Sequence, residues 1–567
     1  MHLVFSTFLK GKEHVLFVAG GTVVILWQML LPGYVLTLDL VFGPRAEMPS
    51  FDGISATGFP VSYAIYLAHL VADGWVVEKI ILFELFFALF YLPFRFYPFE
   101  SVYGERYFAA LFFAVNPFVY ERLLAGHWRV LAGYALLFPL VYYLLRFWRD
   151  VSWRPILEAT ATLILVSAFS LHIFVMGVLV FATTATVAAI HQLARGERAL
   201  YRIAATRSVA AAFLIVTISL YWIIPILTGN NIVDTFDTAH WEAFKTASDP
   251  YLGPIGNVAA LYGFWGEREV WSTYFTWPKD NVLLWMFAGL MLAIILACGV
   301  WRGLRERSTR LVSIWLLCIA LLSLVFSVGI GDSFVRNFNL WLFEHVPFWQ
   351  GFRDTQKWSA LLALVYALFG GIGAGWILSK IADRQFRTIA LMFLCSLPFL
   401  YTPMLFGFRQ LQPVWYPDSW YETNEVLKSD PDCKAVFLPW HLYYSLSFNN
   451  NLITANTAPN FFDCEIVSAS GAEIGGISSH GVYGESYDRI ETAVTDNDHS
   501  SIASTIATLR DEKIKYVIFT DDLIRDDIYS YPFLTDASME VVYQGTVDNY
   551  GSYAISVVDS GGRRFHP

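Results

Sequence analysis

Asp39 stands in Leu36-Thr37-Leu38-Asp39-Leu40-Val41-Phe42-Gly43-Pro44-Arg45, a single carboxylate in an apolar stretch with a guanidinium close behind. The membrane makes an unneeded charge costly near its hydrocarbon boundary, so a carboxylate placed there is a candidate functional group. The plain alternative is an ordinary helix-end charge facing water. A second group is denser: Asn116-Pro117-Phe118-Val119-Tyr120-Glu121-Arg122-Leu123-Leu124-Ala125-Gly126-His127-Trp128-Arg129. Here Glu121 and His127 suit acid-base work or contacts to sugar hydroxyls, and Arg122 and Arg129 suit a phosphate. Alternatively, Tyr120 and Trp128 are interfacial aromatics and the charges pair among themselves. The third, Gly351-Phe352-Arg353-Asp354-Thr355-Gln356-Lys357-Trp358, sets Arg353 and Lys357 about one helical turn apart, where both could face one anion. Pairing with Asp354 is the competing explanation. No CxxC pair, HExxH, Walker loop or dinucleotide fingerprint occurs, so zinc protease, ATPase and nicotinamide chemistry have no support.

The elements that must position these residues are membrane helices. With 56% hydrophobic and 15% charged residues among 567, and a mean hydropathy of +0.48, the chain is too apolar for a soluble protein. Aromatics at 17% suit lipid-facing surface and interfacial belts. A span needs about 20 apolar residues to cross roughly 30 Å of hydrocarbon. About eleven candidates satisfy this, near residues 15–38, 76–98, 105–120, 130–146, 155–170, 172–190, 208–228, 281–301, 310–330, 357–379 and 387–407. Lys and Arg gather in alternate loops: Lys10 and Lys12; Arg95 and Arg106; Arg146, Arg149 and Arg154; Arg195, Arg198, Arg202 and Arg207; Arg302, Arg305, Arg307 and Arg310; Lys380, Arg384 and Arg387. By the positive-inside rule these loops and the N-terminus are cytoplasmic, and with an odd number of spans all that follows about residue 408 lies outside the cytoplasm. The first apolar run is too long, and too poorly followed by a cleavage site, for a removable signal peptide. The loop after it holds an apolar stretch at 61–71, too short to cross and expected as a helix lying on the membrane.

Residues 409–567 differ in kind, being rich in Asp, Glu, Asn, Ser and Gly. The division is therefore a membrane domain at 1–408 and an extracytoplasmic soluble domain at 409–567. Short apolar runs at 435–438, 516–520, 541–543 and 553–558, with a helical pattern at 502–509, predict a small α/β domain. It carries much of the excess acid, including Asp418, Glu422, Asp430, Asp432, Asp521, Asp522, Asp526 and Asp527, which does not suggest nucleic acid. Cys298, Cys318 and Cys395 fall in apolar spans as small packing residues. Cys433 and Cys464 lie in the outer domain, where pairing and free thiols are both open.

These features resemble the GT-C type of glycosyltransferase, polytopic enzymes that use polyprenyl- or dolichyl-phosphate sugars on the outer face of a membrane. The resemblance rests on the acidic loop at Asp39, the amphipathic stretch within that loop, the segment 116–128 and the soluble domain after the last span. It implies transfer of a hexosyl or pentosyl group from the lipid carrier to an extracytoplasmic glycan, lipid-linked glycan or glycoprotein at the plasma membrane. It further implies Asp39 as base, with Arg45, Arg129, Arg353 and Lys357 as phosphate ligands and Glu121 and His127 as acceptor or sugar contacts. The paired acids often found in that loop are absent beside Asp39, and no Trp-Trp-Asp-Tyr-Gly segment of oligosaccharyltransferases occurs. Participation of a divalent metal ion is left open, since no ligand spacing marks a site. The rivals are a transporter or flippase for lipid-linked sugars, whose expected internal repeat is not evident, and a non-enzymatic assembly subunit of the cell envelope.

Overall fold

The computed structural model describes residues 13–229, 237–471, 473–474, 477–478, 484–496, 502–520, 531–536, 539–547 and 550–557. Lys10, Lys12, Asp521, Asp522, Asp526 and Asp527 lie outside the described residues. The chain divides into two units. The first comprises Met1–Leu30, Pro49–Tyr63 and Ile80–Leu411, and the second Leu31–Met48, Ala64–Lys79 and Gln412–Pro567. Two N-terminal segments are thus counted with the C-terminal one in the second unit.

The first unit is helical. Among the described residues, seven helices are long and apolar enough to cross a membrane: Trp128–Asp150, Leu171–Ala194, Arg198–Thr228, Val282–Arg305, Arg310–Val328, Thr355–Ser379 and Arg384–Gln410. These make the chain an integral membrane protein. The other four expected spans take different forms. Helix Trp153–Phe169 has 17 residues, and Gly74–Arg95 has 22 but carries Glu78, Lys79, Glu84 and Arg95. The expected span at 105–120 is two short helices, Glu105–Ala114 and Pro117–Leu124. Asn116 explains the break: its Oδ1 accepts from Val119 N at 3.1 Å, and Pro117 takes the first helical position, so a new helix starts there.

The expectation of a first span over 15–38 requires correction. Its helix, Glu13–Leu26, has 14 residues, and the chain beyond turns at Leu31-Pro32-Gly33. Proline removes a donor, and Gly33 adopts φ +113, where a side chain would be strained. Tyr34 then forms an antiparallel bridge with Val414. Asp39 therefore lies well past the helix end, at a bend in a segment outside any helix. The amphipathic stretch is a helix, Ser55–His69.

Burial separates the helices of the first unit by role. Ser359–Ser379 is buried along nearly its whole length, whereas Arg198–Thr228 buries Ala211, Ile215, Ser219 and Trp222 and exposes Val209, Phe213 and Leu227. A helix apolar all round with so little buried suits a lipid-facing position. Glycine permits close backbone approach between Val282–Arg305 and Ser359–Ser379. A Cβ on Gly299 would stand 1.9 Å from Phe369 O, and one on Gly373 1.9 Å from Ile295 O.

The second unit is α/β, as expected for its C-terminal part. Strands β1 (Lys434–Leu438), β2 (Tyr443–Ser445), β3 (Ile453–Ala455), β4 (Glu465–Val467), β5 (Glu473–Ile474), β6 (Ile477–Ser478), β7 (Tyr516–Thr520), β8 (Met539–Val547) and β9 (Tyr550–Val557) include a five-stranded sheet of order β4-β1-β7-β9-β8. β1 pairs in parallel with β4 and β7, while β9 is antiparallel to β7 and β8. Alternation places Val436, Leu438, Val517 and Phe519 in one core with Ile490, Val494, Ile506 and Leu509 of helices Glu485–Thr495 and Ile502–Asp511. Phe437 instead meets Trp420 of helix Asp418–Leu427, with ring centroids 5.6 Å apart. Cys433 and Cys464, at the starts of β1 and β4, form a disulfide.

Candidate functional site

Asp39 is positioned by the stitching of its segment into the second unit. Glu78, fully buried, accepts from Val35 N at 2.9 Å and from Lys79 Nζ at 3.1 Å. Asn449 Nδ2 donates to Leu36 O at 3.3 Å, Ala455 N to Leu38 O at 2.7 Å, Asn460 Nδ2 to Val41 O at 3.0 Å and Tyr416 OH to Phe42 O at 2.7 Å. Leu38 and Leu40 are buried, whereas Asp39, at a bend between them, is exposed, and Tyr443 OH donates to its Oδ1 at 3.0 Å. Gly43 is required nearby, because a Cβ there would stand 2.1 Å from Asn460 O.

Arg45, expected as a phosphate ligand, is used in the same stitching. Its Nη1 donates to Phe462 O at 2.6 Å and Cys464 O at 2.9 Å, and its Nη2 lies 3.5 Å from Glu47. Asp39 and Arg45 thus share a segment but not a common task.

In the first unit the structure gathers Glu121, His127 and Lys357 around a residue of the same stretch, Arg122. Its guanidinium is fully buried and gives a forked pair to Asp354, Nη1 to Oδ2 at 2.5 Å and Nη2 to Oδ1 at 3.0 Å. Arg122 Nη2 also donates to Gln356 Oε1, and Nη1 lies 3.0 Å from His127 Nδ1. Gln356 Nε2 reaches Glu121 Oε2 at 3.3 Å. Lys357 Nζ stands 3.7 Å from Asp354 Oδ2, the ion pair that competed with anion binding. Forked binding of a carboxylate by a guanidinium fixes both orientation and distance, so this cluster locks helix Pro117–Leu124 to the segment 354–357.

Electrostatics divides the carboxyls of this cluster. Burial acts to raise Asp354, but Arg122 and Lys357 beside it outweigh that and hold it well below the usual carboxylate range. Glu121 moves the other way. Burial and then the neighbouring Glu267 push it well above the usual range, against Arg122 and Lys279. Glu267 is held in turn by Asn257 Nδ2 at 3.1 Å, with Lys279 Nζ at 3.8 Å, and Lys279 also donates to Asn257 Oδ1 at 2.7 Å and Asp249 Oδ2 at 2.9 Å.

Arg129 and Arg353 stand apart from this network. Arg129 Nη2 donates to Ser62 Oγ at 2.8 Å, and a Cβ on Gly58 would come within 2.5 Å of its Nη1, so the side chain is seated against helix Ser55–His69. Arg353 lies over the Phe244 ring, 4.4 Å from the centroid, and is partly exposed. Among the described residues no three His, Cys, Asp or Glu side chains come together as a metal-ligating group.

Sequence reasoning missed the anchoring roles of Asp354, Gln356 and Glu267, and the contact of Tyr443 with Asp39. Glu267 and Asp354 were visible as charges in aromatic-rich loops. Nothing local marked Tyr443, which reaches Asp39 across 404 positions.

No protein-family profile matches the chain, and no curated protein matches it in sequence. Solved structures do. The arabinofuranosyltransferase AftD from Mycobacteria matches over 97% of this chain and 40% of its own, at 16% identity and a TM-score of 0.60. Two structures of its R1389S mutant cover the same 97%, at 15% identity with a TM-score of 0.61 and 14% with 0.52. The chain spans about two fifths of the length of these neighbours. At this identity the likeness concerns the fold alone: over nearly its whole length the chain is built like the arabinofuranosyltransferase AftD.

Proposed function

We propose that the chain is a membrane glycosyltransferase that moves a sugar from a polyprenyl- or dolichyl-phosphate carrier to an extracytoplasmic glycan, lipid-linked glycan or glycoprotein. The observation that carries this reading is the shared fold with AftD over 97% of the chain. Arabinofuranose is accordingly the first sugar to test as donor. The disulfide Cys433–Cys464 supports an oxidising compartment for the second unit, in keeping with the side inferred from the arginine loops.

In this reading Asp39 is the base that takes the proton of the acceptor hydroxyl as that oxygen attacks the anomeric carbon. Its exposure and the Tyr443 hydrogen bond, which fixes the carboxylate without burying it, suit that task. In the first unit Arg353 and Lys357, both partly exposed, are the cations proposed for the donor phosphate as it leaves. Glu121, fully buried, instead holds the fold around Arg122.

The test is transfer from a radiolabelled polyprenyl-phosphate arabinofuranose by the purified, detergent-solubilised chain. Asp39→Asn should lower transfer by roughly 10²-fold or more, the usual scale for a general base. Lys357→Met is measured alongside and reports on the phosphate separately. Unchanged transfer in Asp39→Asn removes Asp39 from the mechanism. Absence of transfer with any sugar donor leaves the flippase and assembly readings in front.

A further inference from the structure

Four helices of the first unit, Trp128–Asp150, Trp153–Phe169, Leu171–Ala194 and Arg198–Thr228, enclose a cavity of about 250 Å³ near one of their ends. Its wall is mostly apolar, with Phe147, Ile156, Phe181 and Val209 among the lining side chains. Thr184, Thr186, Tyr201 and Ser208 interrupt this surface, and so does a buried amide. Gln192, 2% exposed, lines the cavity, and its amide oxygen has no hydrogen-bond partner. A buried acceptor left so is costly unless something in the cavity donates to it.

The end of the helices at which the cavity lies is strongly basic. Between residues 144 and 209 the chain carries seven arginines, at 146, 149, 154, 195, 198, 202 and 207, against three carboxylates, Asp150, Glu158 and Glu197. Arg154 pairs with Glu158 and Arg195 with Glu197. Arg207 donates to the carbonyl of Val151, itself a lining residue, and lies over the Trp153 ring at 5.2 Å. Arg202 is exposed and follows the lining residue Tyr201 directly. Trp148, Trp153 and Tyr201 are the residue types that settle at headgroup level, which puts the mouth of the cavity where the phosphates of a bilayer lie. A basic pocket between membrane helices that opens at that level recognises an anionic headgroup.

We propose that this cavity is a binding site for an anionic glycerophospholipid of the phosphatidylglycerol kind. An acyl chain fills the apolar space, the phosphate sits at Arg202, and a hydroxyl of the headgroup donates to Gln192 Oε1. The hydroxyl distinguishes this lipid from phosphatidic acid, and the charge distinguishes it from phosphatidylcholine. The site shares no residue with the Arg122 cluster, and stands whether or not the chain transfers a sugar.

Native mass spectrometry of the full chain in detergent tests it, with dioleoyl phosphatidylglycerol, dioleoyl phosphatidylcholine and dioleoyl phosphatidic acid added at equal concentration. The native chain should retain phosphatidylglycerol at least tenfold over phosphatidylcholine. Ala185→Phe, which fills the cavity, should abolish that adduct. Arg202→Gln, at an exposed position where misfolding is not expected, should bring the ratio near one, and Gln192→Leu should remove the preference over phosphatidic acid. Equal retention of phosphatidylglycerol and phosphatidylcholine by the native chain overturns the proposal. So does a preference that survives both Ala185→Phe and Arg202→Gln, and so does stoichiometric displacement of phosphatidylglycerol by a polyprenyl phosphate, which would assign the cavity to the carrier lipid.

Discussion

Asp354→Ala should be among the most damaging substitutions in the first unit, because it strands the fully buried Arg122 guanidinium. Asp354 takes two of the guanidinium N–H groups, at 2.5 and 3.0 Å, and also faces Lys357 at 3.7 Å. At about 3 Å and an effective dielectric constant near 20, unit charges attract by roughly 5–6 kcal/mol, an upper bound that desolvation reduces. Removing one partner of a buried pair costs about 3–5 kcal/mol, most of it the unpaired charge left behind. Spread over a unit of this size, such a loss lowers the melting temperature by roughly 5 °C. Fluorescence-detected size exclusion after heating reads it directly in detergent. Replacing both partners with apolar residues, Arg122→Met with Asp354→Leu, removes the stranded charge and should recover most of the loss. A single variant that melts within about 1 °C of the native chain refutes the reasoning, as does a double variant no more stable than the single one.

Glu121 gives a pH prediction of opposite sign to the usual carboxylate. Its carboxyl is raised, so the stability it contributes is full below the unfolded value of about 4.3 and is lost as pH rises through the higher folded value. Melting temperature should fall as pH rises above about 5, and Glu121→Gln should flatten the profile and be the more stable protein at the upper end. Gly299→Leu drives a side chain into the backbone of Ser359–Ser379 and should cost about 3 kcal/mol or more, seen as loss of the monodisperse peak. Reduction of Cys433–Cys464, which closes a loop of sequence separation 31, should destabilise the second unit by up to about 3–4 kcal/mol in denaturant titrations followed by Trp420 fluorescence. Tyr443→Phe should lower transfer roughly tenfold without altering the melting temperature, since the hydroxyl it loses holds Asp39 and is itself exposed.

The parts of the fold legible in the sequence are those fixed by local pattern. Apolar length identifies the seven helices long and apolar enough to cross a membrane, and strand alternation locates β1, β7 and β9 within a few residues. The parts that were not legible depend on partners far along the chain. The run 15–38 is continuous in hydropathy, and only Pro32 and Gly33 hint that a helix ends within it. What draws residues 34–45 away from a helix is a set of hydrogen bonds to residues 414–464, none of which an apolar window can register.

The same limit applies to the candidate residues, and it explains why residue type alone assigned them unevenly. Arg45, Arg122, Arg129 and Arg353 look alike in sequence, four arginines in polar loops. Two of them, Arg45 and Arg122, are held by carbonyls and a carboxylate that the fold brings to them, and a guanidinium so engaged is no longer available to a phosphate. Asp39 differs because the second unit holds its segment through backbone groups, while Tyr443 OH fixes its carboxylate. Every neighbour's carbonyl or amide from Val35 to Arg45 that is tied to residues 416–464 fixes the segment while leaving the Asp39 carboxylate at the surface. A rigid segment presenting one exposed acid is the arrangement a general base requires, since its rate advantage depends on the carboxylate being placed before the acceptor arrives.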